Sequence, residues 1–238
     1  MKTLITGITG FVGSHLAEYI LENEPDTELS GIKRWRSPMD NIHHLQHRVS
    51  LHDCDLRDLS SQINVLSQVK PDVIFHLAAQ SYVPTSYTAP ADTMDTNILG
   101  TLNLLEAIRI CEFDPVVHIC SSSEVYGQVT DKDIPITEDC PLRPVSPYAV
   151  SKVGEDMLGY MYFHAHGVKT IRTRMFTHSG PRRGEVFVDS FFCSQVARIE
   201  KGLQEPVLRV GNLDSVRTFC DVRDTVQRQH GDLASGRL

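Results

Sequence analysis

The chain has 238 residues, 41% hydrophobic and 22% charged, with 15 glycines and 12 prolines. That is the composition of a folded globular chain, and it excludes collagen-like, low-complexity and disordered classes. A formal net charge of −7 argues against nucleic acid as the partner, and no apolar run reaches the length of a membrane span.

The N-terminus leads straight into a short apolar strand, Lys2 to Thr6, without the long apolar core of a secretory signal. The spacing predicts a helix from about Val12 to Glu22, ended by Pro25-Asp26, then strands at Thr27 to Lys33 and Arg48 to Asp53. Asp58 to Val69 has helical spacing at Leu59, Ile63 and Leu66, and Val73 to Leu77 reads as a fourth strand. A long helix over Asp92 to Cys111 precedes a strand at Val116 to Cys120. Pro147 opens a helix through His164, followed by a strand at Val168 to Thr173. This alternation implies an α/β fold with a doubly wound parallel sheet of Rossmann type. Past Arg174 the rhythm changes to a loop, a helix near Phe187 to Lys201 and strand-like pieces at Val207 to Val210 and Thr218 to Cys220. The expected division is 1–175 as a dinucleotide-binding domain and 176–238 as a smaller, incomplete substrate lobe.

The six cysteines (Cys54, Cys111, Cys120, Cys140, Cys193 and Cys220) form no C-x-x-C pair and suit neither a disulfide framework nor a zinc site. Reduced thiols in a cytoplasmic protein are expected. His43, His44 and His47 lack the H-E-x-x-H arrangement, so no metal is expected.

The first strand ends in Gly7-Ile8-Thr9-Gly10-Phe11-Val12-Gly13. Glycines at that spacing let backbone turn tightly and approach a pyrophosphate at a helix N-terminus. By themselves they also suit a plain strand-to-helix connection. Where an acidic residue would accept from a ribose hydroxyl, this chain has Lys33-Arg34-Trp35-Arg36-Ser37. Cations and a hydroxyl there suit a 2′-phosphate, so NADP is expected over NAD. Tyr148 and Lys152 are four apart on one helix face, where the ammonium should lower the phenol pKa toward the range of acid–base chemistry. Ser121 to Gly127 follows the fifth strand, placing the hydroxyl of Ser122 and the carboxylate of Glu124 at the ligand crevice. Beyond the sixth strand, Arg182 and Arg183 lie in a Gly/Pro-framed loop suited to phosphate, and Arg217 is a further candidate cation.

As a set, Thr6 to Gly13, Asp55-Leu56, Leu77-Ala78-Ala79-Gln80-Ser81, Ser122 to Gly127 and Tyr148 with Lys152 resemble the extended short-chain dehydrogenase/reductase family, in its branch acting on nucleotide sugars. Within it, Gly180 to Glu185 and Gly211 to Asp214 resemble the GDP-mannose 4,6-dehydratases. The GDP-4-keto-6-deoxymannose reductases share much of the rest. The resemblance implies that the glycine turn (Gly7, Thr9, Gly10, Phe11, Val12, Gly13) and Arg34, Arg36 and Ser37 hold the cofactor phosphates. It implies adenine contacts from Asp55 and Leu56, a cofactor groove lined by Leu77 to Ser81, and further contacts from His178 and Arg183. Tyr148 and Lys152 would serve both cofactor and catalysis; Ser122 and Glu124 would be catalytic; Ser81, Ser122, Thr177 and Arg217 would meet the sugar nucleotide.

The implied activity is a nucleotide-sugar 4,6-dehydratase, with a reductase or epimerase, or a truncated NADP-binding chain without turnover, as alternatives. A homodimer or homotetramer is implied too, through Ile98, Leu102, Leu105, Met157 and Met161 on the helices near 92–111 and 147–164. Two departures from the pattern stand out: Thr177 replaces an asparagine, and Phe11-Val12 is closer to the reductase turn.

Overall fold

The computed structural model describes residues 1–234. β1 (Lys2–Thr6) lies at the centre of a six-stranded parallel sheet, which is why four of its five residues are buried. Glycines then turn the chain into α1 (Phe11–Asn23), and β2 (Glu28–Lys33) and β3 (Ser50–Asp53) extend the sheet to one side. Asp58 caps α2 (Leu59–Val69) by accepting from the Ser60 amide. β4 (Val73–His76) then pairs on the other side of β1. β5 (Val116–Ser122) and β6 (Thr170–Met175) complete the order β3-β2-β1-β4-β5-β6. The order reverses between β1 and β4, and that switch point opens the ligand crevice of such sheets.

One face of the sheet is covered by α2 with α5 (Gly100–Ile110) and α6 (Pro147–His166), through Leu66, Leu104, Leu105, Ile108 and Tyr162. The other is covered by α1 and α8 (Val222–Ala234), through Leu16, Ile20, Val222 and Val226. Each layer removes roughly 1.5–3 kcal/mol of apolar exposure per large side chain. No described helix is long and apolar enough to cross a membrane.

The structure departs from the sequence expectations in three places. The long helix over 92–111 is segmented: after α3 (Val83–Thr88) come α4 (Pro90–Met94), a π-helical turn at Asp95–Leu99, and α5. Of its apolar stripe, Leu105 and Ile108 are core residues, Leu102 packs against that core, and Ile98 faces Gly154 of α6. The expected strand at Val207 to Val210 is absent. There the side chain of Gln195, on α7 (Val188–Glu200), bonds both the amide and the carbonyl of Arg209 in place of a neighbouring strand. The second strand-like piece shrinks to β8 (Cys220–Asp221), which pairs with β7 (His178–Ser179).

Candidate active site

The glycine turn is fixed by close approach. Gly7 has φ +72°, and a Cβ there would lie 2.9 Å from the Ala78 backbone. A Cβ on Gly13 would lie 2.4 Å from the Gly7 carbonyl oxygen. The turn closes through Gly10 N–H to Gly7 O at 2.9 Å, and no side chain caps α1. The first amides of the helix therefore remain available for an anion. Phe11 and Val12 flank this opening half-buried, and the Thr9 carbonyl accepts from Asn41 at 3.0 Å.

At the ends of β2 and β3 a cavity of about 560 Å³ is lined by Arg34, Trp35, Arg36, Asp53, Cys54, Asp55 and Ser61. Lys33 is committed to Asp53, whereas Arg34 and Arg36 are exposed with no acidic partner among the described residues. The Arg36 guanidinium lies over the Trp35 ring at 4.9 Å. Ser37 closes the turn by accepting from the Arg34 amide at 3.1 Å. Asp55 is gripped by Arg57, which holds its carboxyl below the usual range. Leu56 is buried, and its carbonyl accepts from Gln62 and Asn103. An uncapped helix N-terminus, a turn where Cβ atoms have no room and a cavity with two unpaired guanidinium groups together fit a phosphorylated dinucleotide.

Residues 77–81 are held by groups that the motifs did not reveal. Thr6 accepts from the Leu77 and Ala78 amides at 3.1 Å and bonds His76, whose other ring nitrogen meets Thr101 at 2.9 Å. Burial pushes His76 down to about 3, which keeps it neutral. Asn97, fully buried on the π turn, accepts from the Gln80 amide at 2.8 Å and donates to the Gln80 carbonyl at 3.0 Å. It also donates to Ser151 of α6 at 2.8 Å. The Gln80 side chain is occupied by Thr93 and the Tyr82 amide, so it positions the groove instead of reaching into it. Ala79 is half-buried and Ser81 exposed on the same segment. A polar residue inside an apolar helical stripe was the available sequence signal for Asn97.

Ser122, at the end of β5, accepts from the Glu124 amide at 3.2 Å, and Glu124 itself is exposed. Ser146 caps α6 and carries Tyr148 and Lys152 inward to 9% and 4% exposure. Here an expectation is corrected. Burial pushes the Tyr148 phenol above its ordinary value, and the opposing pull of Lys152 and Ser122 does not offset it. The ammonium is engaged elsewhere, 2.9 Å from both the Cys120 carbonyl and Glu155, and 5.9 Å from the Tyr148 ring centroid.

The loop after β6 separates its two arginines. Arg182, at φ +71°, turns back to Glu18 of α1 in a two-pronged ion pair, and the Pro181 carbonyl meets His15 at 3.0 Å. Arg182 is thus a strut, not the phosphate ligand expected. Arg183 points the other way, over Phe187 at 4.5 Å and Phe11 at 6.0 Å; its Nε lies 3.5 Å from the Asp189 carboxylate, and neither Nε nor Nη1 makes a hydrogen bond among the described residues. His178 stacks on Phe11 at 6.0 Å, and burial keeps it below its ordinary pKa. Thr177 is half-buried, its carbonyl bonded to the Cys220 amide. Arg217 is not brought to this group: it is exposed and donates to the neighbouring Val216 carbonyl.

This sheet order, glycine turn and Tyr/Lys helix define a Rossmann protein of the extended short-chain dehydrogenase/reductase class. A sequence model described as GDP-mannose 4,6 dehydratase matches residues 4–236, and the chain belongs to that family. It is 39% identical over 239 residues to a GDP-mannose 4,6-dehydratase of Yersinia enterocolitica, covering 96% of this chain and 63% of the relative. A GDP-6-deoxy-D-mannose reductase of Pseudomonas aeruginosa is 35% identical over 94% of this chain and 68% of the relative. Among solved structures, RMD from Pseudomonas aeruginosa complexed with NADPH superposes with TM-score 0.82 at 33% identity, covering 98% of this chain and 73% of that one. A dTDP-glucose 4,6-dehydratase from Streptomyces venezuelae, with NAD and TYD bound, gives TM-score 0.88 at 28% identity, covering 100% and 73%.

Proposed function

We propose that the chain is an NADP-dependent nucleotide-sugar 4,6-dehydratase that converts GDP-mannose to GDP-4-keto-6-deoxymannose. Residues 1–175 supply most of the cofactor site, and 176–238 add Arg183 and His178 to it and contribute to the sugar-nucleotide side. The observation that carries the reading is the Ser122 hydroxyl at the end of β5, which accepts from the Glu124 amide and pulls on the Tyr148 phenol. Arg34 and Arg36 hold the 2′-phosphate; the amides opening α1 face the pyrophosphate, with Arg183 and His178 alongside.

NADP, held by the glycine turn with Arg34 and Arg36, would supply the hydride acceptor for C4 and the hydride donor for C6. Ser122 holds the sugar 4-hydroxyl and Tyr148 takes its proton. The resulting ketone acidifies C5, and Glu124, exposed and without an ion-pair partner among the described residues, takes that proton and delivers it to the C6 hydroxyl, which leaves as water with formation of the C5–C6 double bond. Burial raises the Tyr148 phenol, and the Lys152 ammonium and the Ser122 hydroxyl pull it part of the way back toward ionisation. A reductase is the second reading, favoured by Phe11-Val12 in the glycine turn and by the 35%-identical reductase.

The same reading proposes a cytoplasmic protein assembled as a homodimer or homotetramer. Exposed Val150, Met157, Tyr160, Met161 and Phe163 on α6 supply the apolar contact. The test of function is stoichiometry: GDP-mannose should turn over with a catalytic trace of NADP, and Tyr148→Phe should stop it. One NADPH consumed per keto sugar, with GDP-mannose untouched, assigns the reductase instead. Cofactor binding without turnover of either sugar refutes both.

A further inference from the structure

Glu155 is a buried acid that the proposed chemistry does not use. Its side chain is 1% exposed, one oxygen lies 2.9 Å from Lys152 Nζ, and the other has no partner among the described residues. Burying an ion pair with an orphaned oxygen costs more than packing an apolar side chain of the same size. The fold alone gives no reason for a carboxylate there. Its place on α6, one turn beyond Lys152 on the Tyr148 face, gives it access to the ammonium that is meant to serve the phenol. An ammonium has three donors, and two of them are already spent, on Glu155 and on the Cys120 carbonyl.

We propose that Glu155 is the positioning residue of the Tyr148–Lys152 pair: it holds the ammonium on the Cys120 side of α6 and shares its charge between its own carboxylate and the phenol. The surrounding charges agree. From α6, Asp156 faces Glu155 but is neutralised by Arg172 and Arg174 of β6. From β5, Cys120 faces the pair as a thiol raised by burial. From β4, His76 faces Lys152 in its neutral form. Burial pushes Glu155 itself up to about 7, so through the pH range where a phenol titrates it is ionised: its negative charge raises the Tyr148 phenol while the positive charge of Lys152 lowers it, and both act inside the protein, where charges are poorly screened. Glu155 and Tyr148 also hold Lys152 protonated, against the effect of burial.

The inference rests on Tyr148 as the proton-transferring group, but it is tested without cofactor or substrate, so an inactive chain would leave the result standing. Tyrosinate absorbance is titrated in the protein and in Tyr148→Phe, whose difference isolates one phenol of seven tyrosines. The same pair of titrations is made with Glu155→Gln. The glutamine still accepts from the ammonium but carries no charge, so the Tyr148 midpoint should fall by about one pH unit or more. A Glu155 with a purely structural role would change the melting temperature and leave the midpoint in place; an unmoved or raised midpoint overturns the proposal. Glu155→Asp keeps the charge and withdraws it by one methylene. It should lower the midpoint by less than the glutamine does, and it decides the matter by the same sign should the glutamine variant not fold.

Discussion

Replacing Asn97 by alanine should cost the protein about 3 kcal/mol. Asn97 makes three hydrogen bonds, two to the Gln80 backbone and one to Ser151. Ser151 keeps its bond to the Tyr148 carbonyl at 2.7 Å, so the orphans are the Gln80 amide and carbonyl. A buried group left unpaired costs roughly 1–3 kcal/mol. Gln80 is only half-buried and water can reach it in part, so about 1 kcal/mol each is appropriate. The space vacated by the fully buried Asn97 side chain adds about another 1 kcal/mol. For a chain of this size the sum corresponds to a fall in Tm of about 6–12 °C. Urea unfolding followed by circular dichroism measures it. Asn97→Asp should lose stability as well and recover part of the loss in acid, where a protonated carboxyl donates again. Both variants should bind NADP more weakly, because Gln80 lies in the segment Asn97 orders. A loss below about 0.5 kcal/mol for the alanine variant, the range of surface substitutions, would refute the role assigned to Asn97.

Calorimetry should show NADP binding tighter than NAD by tenfold or more, since each charge-assisted bond to a 2′-phosphate contributes roughly 1.5–3 kcal/mol; Arg34→Ala should erase the difference, and equal affinities in the parent chain would reject the site. Arg182→Ala should lower stability by about 1 kcal/mol through its part-exposed pair with Glu18, whereas Arg183→Leu should weaken cofactor binding with a smaller loss of stability, because its Nε only approaches Asp189 at 3.5 Å and its buried donors make no hydrogen bond among the described residues; the reverse pattern contradicts the loop geometry. His118 is fully buried and burial holds it at about 4, against 6.5 for an ordinary imidazole. The unfolded chain therefore takes up the proton first, so the stability tied to His118 is complete above about pH 6.5 and is lost as pH falls toward 4. Between pH 7 and 5 the parent should lose about 2 kcal/mol more than His118→Gln, and parallel profiles would contradict this.

The strands of the sheet were legible because parallel strands are short apolar runs, and the glycine turn because Gly7 and Gly13 leave no room for a side chain. The π turn was not, since the stripe from Ile98 to Ile108 keeps its helical spacing while the backbone over Asp95–Leu99 takes a wider turn. Val207 to Val210 has the residues of a strand, but a strand needs a partner, and a single glutamine side chain takes that place. Spacing placed Tyr148 beside Lys152 without showing how deeply the phenol is buried or that Glu155 shares the ammonium. Arg182 and Arg183 are neighbours in sequence and opposites in space, a separation set by one left-handed backbone position.

The proposed dehydratase differs from every redox-consuming alternative in one atom of its product. In that reaction C5 loses its proton to Glu124 and regains one from solvent, whereas a reductase never breaks the C5–H bond. The chain is incubated with GDP-mannose and a catalytic trace of NADP in deuterated water, and the product is read by proton NMR. A 4-keto-6-deoxy sugar with deuterium at C5 is predicted, and Glu124→Gln should abolish its formation. A product that keeps its C5 proton, or substrate that is never consumed, would contradict the account.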